Sequence, residues 1–314
     1  MDKLWKHSSR NTLKGASSCN NFFLTDRFSD SGFDIKMPMD FAKLIDKDDP
    51  KDPLLRQVIN PKSNSETNFS KSPLEDEKYS PVDGLIHKYS NRVLLIASRV
   101  CSIHCQYCFR QNFDYAGQDA LHNWYAVKEY ITNNPKINEV ILSGGDPLTL
   151  SDEKIKFIVL DIEKIPHIDT LRIHTRTAVV IPNRITNELA SILNNSSLNV
   201  VMVFHINHEN ELTYEFKKSL KMLDQIILLN QSVLLKGVND SEDILANLFL
   251  KLFSYKILPY YLHMLDKVRG SEHLFVSDKR AIKIHNNLKK KLSGYLVPRL
   301  VRDENDEFKA WLGL

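Results

Sequence analysis

The chain has 314 residues, of which 42% are hydrophobic and 26% are charged, and its formal net charge is +3. This composition supports a large folded core and excludes disorder throughout the chain, while so balanced a charge gives no reason to expect a nucleic-acid partner. No apolar run reaches the length of a membrane span, and the first residues lack the apolar core of a secretory signal. We therefore expect a soluble, cytoplasmic protein in which a tight cysteine cluster binds metal or takes part in redox chemistry.

The N-terminal part, residues 1–90, is predicted to be an extension that is partly helical and partly irregular. A short helical pattern over residues 39–58 is interrupted by Pro50 and Pro53, and the polar, turn-rich segment 60–84 is typical of a loop.

From residue 92 onwards, short apolar runs alternate with amphipathic stretches. Six runs have the continuous aliphatic and aromatic character of strands that are buried on both faces: residues 92–98, 139–144, 170–175, 199–206, 226–235 and 257–265. The stretches 122–134, 151–165 and 209–225 have helical spacing, and Ser151 is a plausible N-cap. This alternation predicts an α/β fold with a parallel sheet, either open or closed into a partial barrel, followed by a C-terminal helix at 278–293 and a short tail.

Polar residues follow each of the six predicted strands. They are Cys101, "GGDP" (144–147), "HTRT" (174–177), "HINHENE" (205–211), "KGVNDS" (236–241) and Asp266. Because ligands bind at the carboxyl ends of parallel strands, one shared site explains these residues better than six unrelated loops.

The segment "CSIHCQYC" (101–108) holds three of the four cysteines of the chain. Three unrelated core cysteines are one interpretation, and a zinc site completed by His104 is another, although structural zinc sites usually take paired ligands from two segments. An iron–sulfur cluster fits better, because three thiolates hold three irons of a cubane and leave the fourth iron open to a substrate or reagent. Cys19 lies far from this segment and is interpreted as a bystander thiol.

The C-x3-C-x2-C spacing after the first strand of a βα repeat resembles that of radical S-adenosylmethionine (SAM) enzymes. This resemblance implies that the open iron binds SAM, that one electron cleaves SAM to methionine and a 5′-deoxyadenosyl radical, and that Gly144, Gly145 and Asp146 contact SAM. Further segments resemble the lysine 2,3-aminomutase family, in order, over roughly residues 40–309: "CFRQNFDYAG", "LSGGDPL", "TRTAVVIPNRIT", "HINHENE", "LLNQSVLLKGVND", "PYYLHMLDKVRGSEHL" and "SGYLVPRLVRD".

The family resemblance implies three parts: an N-terminal extension (1–90), a partial (β/α)6 barrel (91–270) and a C-terminal helix and tail (271–314). It implies an isomerase that moves the amino group of L-lysine from C2 to C3. The implied cofactors are a [4Fe-4S] cluster, SAM and pyridoxal 5′-phosphate (PLP), with a flavodoxin- or ferredoxin-type electron donor.

Segments 52–58 and 84–95, together with "YCFR", resemble the short branch of this family, whose β-lysine a separate ligase attaches to elongation factor P. No cysteine follows Cys108, which disfavours the classical free-lysine aminomutases, whose C-terminal cysteines bind zinc. The alternatives are therefore such a classical enzyme, or a non-catalytic iron–sulfur or zinc protein.

Site residues carry over from the family position by position. Cys101, Cys105 and Cys108 match the cluster ligands, and Arg110 matches the arginine that pairs with the substrate carboxylate. Asp266 and Asp303 match the acidic residues that hold the distal ammonium of the substrate. Four further residues are assigned because they lie at strand ends rather than by a family match: Gln231 to the SAM pocket, and Arg172, Arg176 and His205 to the PLP pocket.

Lys309 matches the lysine that holds PLP. The glycines that the family has before this lysine are missing here, because the stretch reads "RDENDEFKAW". Lys236 is a rival by location, although family members can carry an arginine at that position.

Overall fold

The structure, a computed structural model, describes residues 2–30, 32–59, 69–71, 73, 76–113, 117–303 and 309–312. Its α-helices are α1 (Asp2–Arg10), α2 (Gly15–Phe23), α3 (Met39–Ala42), α4 (Trp124–Thr132), α5 (Asp152–Ile162), α6 (Thr177–Val180), α7 (Asn187–Asn194), α8 (Tyr214–Leu220), α9 (Glu242–Ser254) and α10 (Asp278–Lys291). Its strands are β1 (Thr12–Lys14), β2 (Lys36–Pro38), β3 (Leu85–Tyr89), β4 (Arg92–Ser98), β5 (Glu139–Gly144), β6 (Thr170–Thr175), β7 (Asn199–His205), β8 (Ile227–Val233), β9 (Leu258–His263), β10 (Arg299–Arg302) and β11 (Ala310–Trp311). Short 3-10 helices cover Leu55–Gln57, Asp76–Tyr79, Pro147–Thr149, Pro182–Arg184, Glu209–Glu211, Glu272–Leu274 and Gly294–Leu296.

Nine strands form one sheet in the spatial order β11-β10-β9-β8-β7-β6-β5-β4-β3. Strands β4 to β10 are parallel and follow chain order, and β3 and β11 join the two edges antiparallel. Parallel neighbours that follow one another in the chain, with helices in the connections, form the wall of a barrel. The fold is therefore the α/β partial barrel that the sequence predicted.

The six predicted strands correspond to β4–β9. Strands β4, β5 and β6 have the predicted bounds, while β7, β8 and β9 are shorter than predicted. The central residues of β4–β7 are mostly buried, whereas those of β8 and β9 include half-buried residues.

Four barrel helices begin at a Ser or Thr whose hydroxyl accepts a hydrogen bond from a backbone N–H in the first turn. These N-caps are Ser151 of α5, Thr186 of α7, Thr213 of α8 and Ser241 of α9. Such a cap satisfies a backbone donor that the helix itself leaves unpaired. The prediction of Ser151 as an N-cap is confirmed.

The N-terminal region contains more regular structure than the sequence predicted. Besides α1, α2 and α3 it has an antiparallel pair, β1 with β2, in which Leu13 lies opposite Met37. The next strand, β3, already belongs to the large sheet. The prediction of a mostly helical, partly irregular extension over residues 1–90 did not include these three strands. Residues 60–68, 72 and 74–75 of the predicted loop lie outside the described residues.

The predicted tail also contains sheet structure. Strand β10 pairs with β9, and β11 pairs with β10 across residues 304–308, which lie outside the described residues. Four- and two-residue strands are too short for periodicity to reveal. The prediction of a C-terminal helix followed by a short tail did not include these two strands.

The two largest apolar cores among the described residues stabilise the fold. The larger lies between the sheet and its helices. The smaller joins side chains of residues 5–58 to Ile103 of the cysteine segment and to Val180 and Ile181. The N-terminal region therefore packs directly on the loop that carries the cysteines. Among the described residues, no helix combines the length and the apolar character that a bilayer span needs.

Candidate active site

A cavity of about 350 Å³ opens at the carboxyl ends of the barrel strands. The residues that the sequence assigned to the site all line it: Cys101, Cys105, Cys108, Arg110, Gly144, Gly145, Asp146, Arg172, Arg176, His205, Gln231, Asp266, Asp303 and Lys309. Residues 236–241 do not line the cavity, so the polar ends of five of the six predicted strands share it. Lys236 is among those outside, which favours Lys309 over its rival.

The cysteine loop is held in place by backbone contacts with the N-terminal region. Lys36 Nζ donates to the carbonyl oxygen of Cys101 at 2.6 Å, and the His104 N–H donates to the carbonyl oxygen of Lys36 at 2.8 Å. The Gln106 N–H donates to the carbonyl oxygen of Gln57 at 3.0 Å. A loop without regular structure is thereby fixed at both ends of the C-x3-C-x2-C segment.

The three thiols fit a cluster better than a single metal ion. No group of three or more His, Cys, Asp or Glu side chains within the described ranges could hold one ion, whereas a cubane takes one thiolate per iron and needs no such convergence. His104 lies outside the cavity, stacks on Phe33 and bonds through Nδ1 to the Asp34 carbonyl oxygen at 2.9 Å. It is therefore not placed to complete a zinc site.

Burial governs the protonation of two of these cysteines, Cys101 and Cys108. It raises the pKa of Cys101 well above its ordinary value and, together with the charge of Cys105, raises the pKa of Cys108 to about 11. Thiols in this environment stay protonated unless a metal replaces the proton, since metal ligation favours the thiolate.

The glycines after β5 are required by close packing against the chain that leads into the cysteine loop. A Cβ on Gly145 would lie 2.6 Å from the carbonyl oxygen of Val100, and one on Gly144 would lie 2.7 Å from that of Ser98. Gly144 also has a φ of 105°, a conformation that favours glycine. The Gly145 N–H donates to the Ser98 carbonyl oxygen at 2.6 Å, which joins the two loops.

Asp146 connects this turn to the end of β6. Its carboxylate accepts hydrogen bonds from the N–H groups of Leu148, Arg176 and Thr177 and from the hydroxyl of Thr175, at 2.7 to 3.0 Å. The side chain is 5% exposed. Four internal donors make Asp146 a support for the loops around the cavity.

Three histidines face the cavity with a buried ring nitrogen that has no protein partner. The Nε2 atoms of His174, His205 and His263 make no hydrogen bond within the described parts of the chain. Burial lowers the pKa of each below its ordinary value, so all three are neutral. Buried polar atoms without partners indicate that this cavity is built for a polar ligand.

The sequence assigned His205 alone, although His174 and His263 occupy equivalent positions. Each comes near the end of a strand on its inner face, and alternate strand residues share a face. That alternation was the signal that could have identified them.

At the opposite end of the cavity, Lys309 pairs with Asp303. Lys309 Nζ lies 3.1 Å from Asp303 Oδ2, and His263 Nδ1 lies 3.5 Å from the same oxygen. Burial alone would raise the pKa of Asp303, but the His263 hydrogen bond and the Lys309 charge outweigh it and hold the pKa below its ordinary value. In this structure Asp303 is therefore an ionised partner of Lys309.

Asp266 has a different electrostatic environment. Burial, followed by repulsion from Asp303 and Asp76, raises its pKa to about 7. Perturbed acids in a cavity mark functional positions.

Other charged side chains of the cavity have partners that the sequence did not predict. Arg110 Nε pairs with Asp76 Oδ2 at 2.8 Å, and Arg172 Nε pairs with Glu139 Oε1 at 2.9 Å. Two further cations, Lys88 and Arg92, reach the cavity from the β3–β4 hairpin. These two were missed because the hairpin was not predicted.

The chain was compared with known proteins on this basis. The family model described as a 4Fe-4S single cluster domain matches residues 91–223. L-lysine 2,3-aminomutase of Escherichia coli (strain K12) is 44% identical over 289 residues, which cover 90% of this chain and 84% of that protein. The chain belongs to the lysine 2,3-aminomutase family.

Other relatives agree with this assignment. L-lysine 2,3-aminomutase of Buchnera aphidicola subsp. Baizongia pistaciae is 46% identical over 274 residues, covering 86% of this chain and 81% of that protein. The enzyme of the same name from Clostridium subterminale is 38% identical over 269 residues, covering 84% and 64%. The protein is thus an isomerase of the lysine 2,3-aminomutase family.

A solved structure supports the fold. SuiB of Streptococcus suis bound to S-adenosylmethionine superposes with a TM-score of 0.50 at 15% identity, over 73% of this chain and 52% of SuiB. At this identity the likeness concerns the fold alone.

Proposed function

We propose that this protein converts L-lysine to β-lysine with a [4Fe-4S] cluster, SAM and PLP, and that its product modifies elongation factor P. The observation that carries the reaction is that one cavity gathers three cysteines at one end and a lysine, two aspartates and an arginine around the rest. Family membership supplies the reaction class. The division into residues 1–90, 91–270 and 271–314 is part of this proposal, and the two flanking parts add β3, β10 and β11 to the barrel sheet.

Cys101, Cys105 and Cys108 would hold the cluster, and the Gly144–Gly145 turn would leave room for SAM beside it. The close contact of this turn with the Ser98 carbonyl oxygen fixes the turn relative to the cysteine loop. We assign SAM contacts to the backbone of the two glycines and to Gln231. Asp146 supports them from behind through its four internal hydrogen bonds.

Lys309 would hold PLP, and the donor set around it fits such a group. Lys88 and Arg92 supply positive charge for a phosphate, and the histidine Nε2 atoms are available to polar groups of the ligands. Tyr261 lies beneath Lys309, with Nζ 4.7 Å from the ring centroid, and restricts its position. When bound, these cofactors supply radical generation and stabilisation of the migrating nitrogen.

The substrate would be oriented by charge. Arg110 offers a guanidinium fork to the carboxylate, and the substrate must then compete with Asp76 for it. Asp266 and Asp303 offer carboxylates to the distal ammonium. With Lys309 engaged by PLP, its ammonium would no longer pair with Asp303, and that carboxylate would be left for the distal ammonium of the substrate.

Turnover tests the reaction directly. Anaerobic protein with a verified cluster would receive SAM, PLP, a flavodoxin- or ferredoxin-type reductant and L-lysine, and we expect β-lysine by chromatography. SAM cleavage without β-lysine would overturn the substrate and PLP assignments. An intact cluster that does not cleave SAM would overturn the radical assignment.

The link to elongation factor P rests on the resemblance of segments 52–58 and 84–95 to the short branch. A cytoplasmic location belongs to the same proposal, because translation factors are there. Deleting the gene should remove the β-lysyl mass from elongation factor P in the organism that carries it, and the gene should restore it. An unchanged intact mass would refute this link while leaving the reaction untouched.

A further inference from the structure

Arg176 does not lie where a PLP ligand would be expected but against a cysteine. Its Nη1 donates to the sulfur of Cys105 at 3.0 Å. The guanidinium is 5% exposed and lies at the cluster end of the cavity, whereas Lys309 lies among Asp303, Tyr261 and Tyr89.

Buried acceptors fix this guanidinium from the other side. Nη2 donates to Gln57 Oε1 at 2.9 Å and to Glu211 Oε2 at 3.1 Å, and Nη1 also contacts the Tyr107 hydroxyl. Gln57 and Glu211 are each 0% exposed. A planar guanidinium with partners on both Nη atoms has one orientation. Its hydrogen bond to the Cys105 sulfur is therefore preformed.

A network of amides fixes those acceptors in turn. Asn207 Nδ2 donates to Gln57 Oε1 at 2.9 Å and to the Tyr107 hydroxyl at 2.7 Å. Glu211 Oε1 accepts from the backbone N–H groups of Asn207 and His208. The network therefore joins the N-terminal region, through Gln57, to one cluster ligand.

We propose that Arg176, held by Gln57 and Glu211, sets the reduction potential of the cluster through its hydrogen bond to the Cys105 sulfur. This inference rests on the cysteine assignment of the proposed function and replaces the expected PLP role of Arg176. Hydrogen bonds to cluster sulfurs and nearby positive charge stabilise the reduced state. Glu211 neutralises the charge of the guanidinium in part, so the directed N–H donor is the group that acts on the sulfur.

The reduction potential of the cluster distinguishes the two roles, because a merely structural role of Arg176 would leave it unchanged. We would titrate the cluster by EPR in wild type, Arg176→Lys and Gln57→Leu proteins of equal iron content. A lysine has one ammonium and cannot serve Cys105, Gln57 and Glu211 in this geometry, so we expect a lower midpoint, by at least a tenfold change in the reduction equilibrium, about 59 mV for one electron. Gln57→Leu should lower the midpoint less, because the donor stays but its orientation is lost.

Arg172→Lys is the matched control. Arg172 lies on β6, four residues before Arg176, and lines the same cavity, but it pairs with Glu139. Its substitution should leave the midpoint unchanged. Equal midpoints in wild type and Arg176→Lys proteins would overturn the proposal, and so would an equal shift in the control.

A second measurement needs no substitution at Arg176. In wild-type protein grown with guanidinium-15N-arginine, the reduced cluster should show a 15N coupling by pulsed EPR. The coupling should persist in Arg110→Lys protein, which removes the arginine next to Cys108. Its absence from wild-type protein with a reduced cluster would refute the contact, and wild-type protein without any cluster would refute both this inference and the cysteine assignment.

Discussion

The raised pKa of Asp266 predicts how lysine capture depends on pH. Only the ionised carboxylate attracts the distal ammonium of the substrate, and the pKa of this group is about 7 in the protein. An acid with such a pKa is ionised to roughly a tenth at about pH 6 and to roughly nine tenths at about pH 8. We expect kcat/KM for L-lysine to rise about tenfold over this interval, because that parameter reports the ionisation of the free enzyme.

The charges that face Asp266 fix the sign of this effect. Asp303 and Asp76 oppose its ionisation, whereas Lys309 and Arg302 favour it, and burial exceeds each of these contributions. A carboxyl with a raised pKa is neutral below that pKa. Lysine capture is therefore weakened at low pH and restored as the pH rises.

Asp266→Asn removes the charge at nearly constant size. Losing a hydrogen bond to a charged group costs about 1.5–3 kcal/mol, or roughly 10- to 150-fold in kcat/KM at high pH. The rise near pH 7 should disappear. Asp243→Asn, at an exposed carboxylate that pairs with Lys291, should reproduce the wild-type profile, and a rise that persists in Asp266→Asn protein would refute the reasoning.

Three further predictions concern the other parts of the site. Lys309→Ala should abolish the visible absorbance of protein-bound PLP at unchanged iron content, whereas Lys236→Ala should keep it; the reverse pattern would exchange the two assignments. Gly145→Ala would place a Cβ 2.6 Å from a backbone oxygen, so the affinity for SAM, measured by calorimetry, should weaken at least tenfold. The control Gly294→Ala, whose Cβ would have no neighbour within 4 Å, should bind SAM normally. Equal affinities in the two variants would refute the argument that close packing requires Gly145. Asp146→Asn turns an amide donor towards backbone N–H groups and should lower the free energy of unfolding by roughly 3 kcal/mol in urea, and an unchanged unfolding midpoint would contradict its supporting role.

The barrel could be predicted from the sequence because strands β4–β7 are largely buried on both faces. Runs such as residues 139–144 carry no polar alternation, and in the structure they pair in parallel with their chain neighbours. Strand β3 escaped prediction because its outer half, with His87 and Lys88, is only half-buried at the sheet edge. The pair of β1 and β2 escaped because three residues on each side give no period, and their pairing depends on contacts across 21 intervening residues.

The sequence predicted which residues meet at the site better than it predicted their hydrogen-bond and ion-pair partners. Strand ends meet at one edge of the sheet, so residues that follow the strands converge whatever their spacing in the chain. Hydrogen-bond partners depend on side-chain reach across the closed fold. The sequence gives no sign that Arg176 bonds to Cys105, 71 positions away, or that Asp76 pairs with Arg110.

Gln57 illustrates why the N-terminal region has to be considered part of the catalytic unit. Its side chain accepts from Arg176 and Asn207, and its backbone carbonyl accepts from the Gln106 N–H within the cysteine loop. A buried amide with these partners fixes the loop and the guanidinium at once, since neither can shift without leaving a buried polar group unpaired. The region that looked irregular in the sequence therefore supports the cysteine loop from behind, and the barrel alone would hold its three cysteines less rigidly.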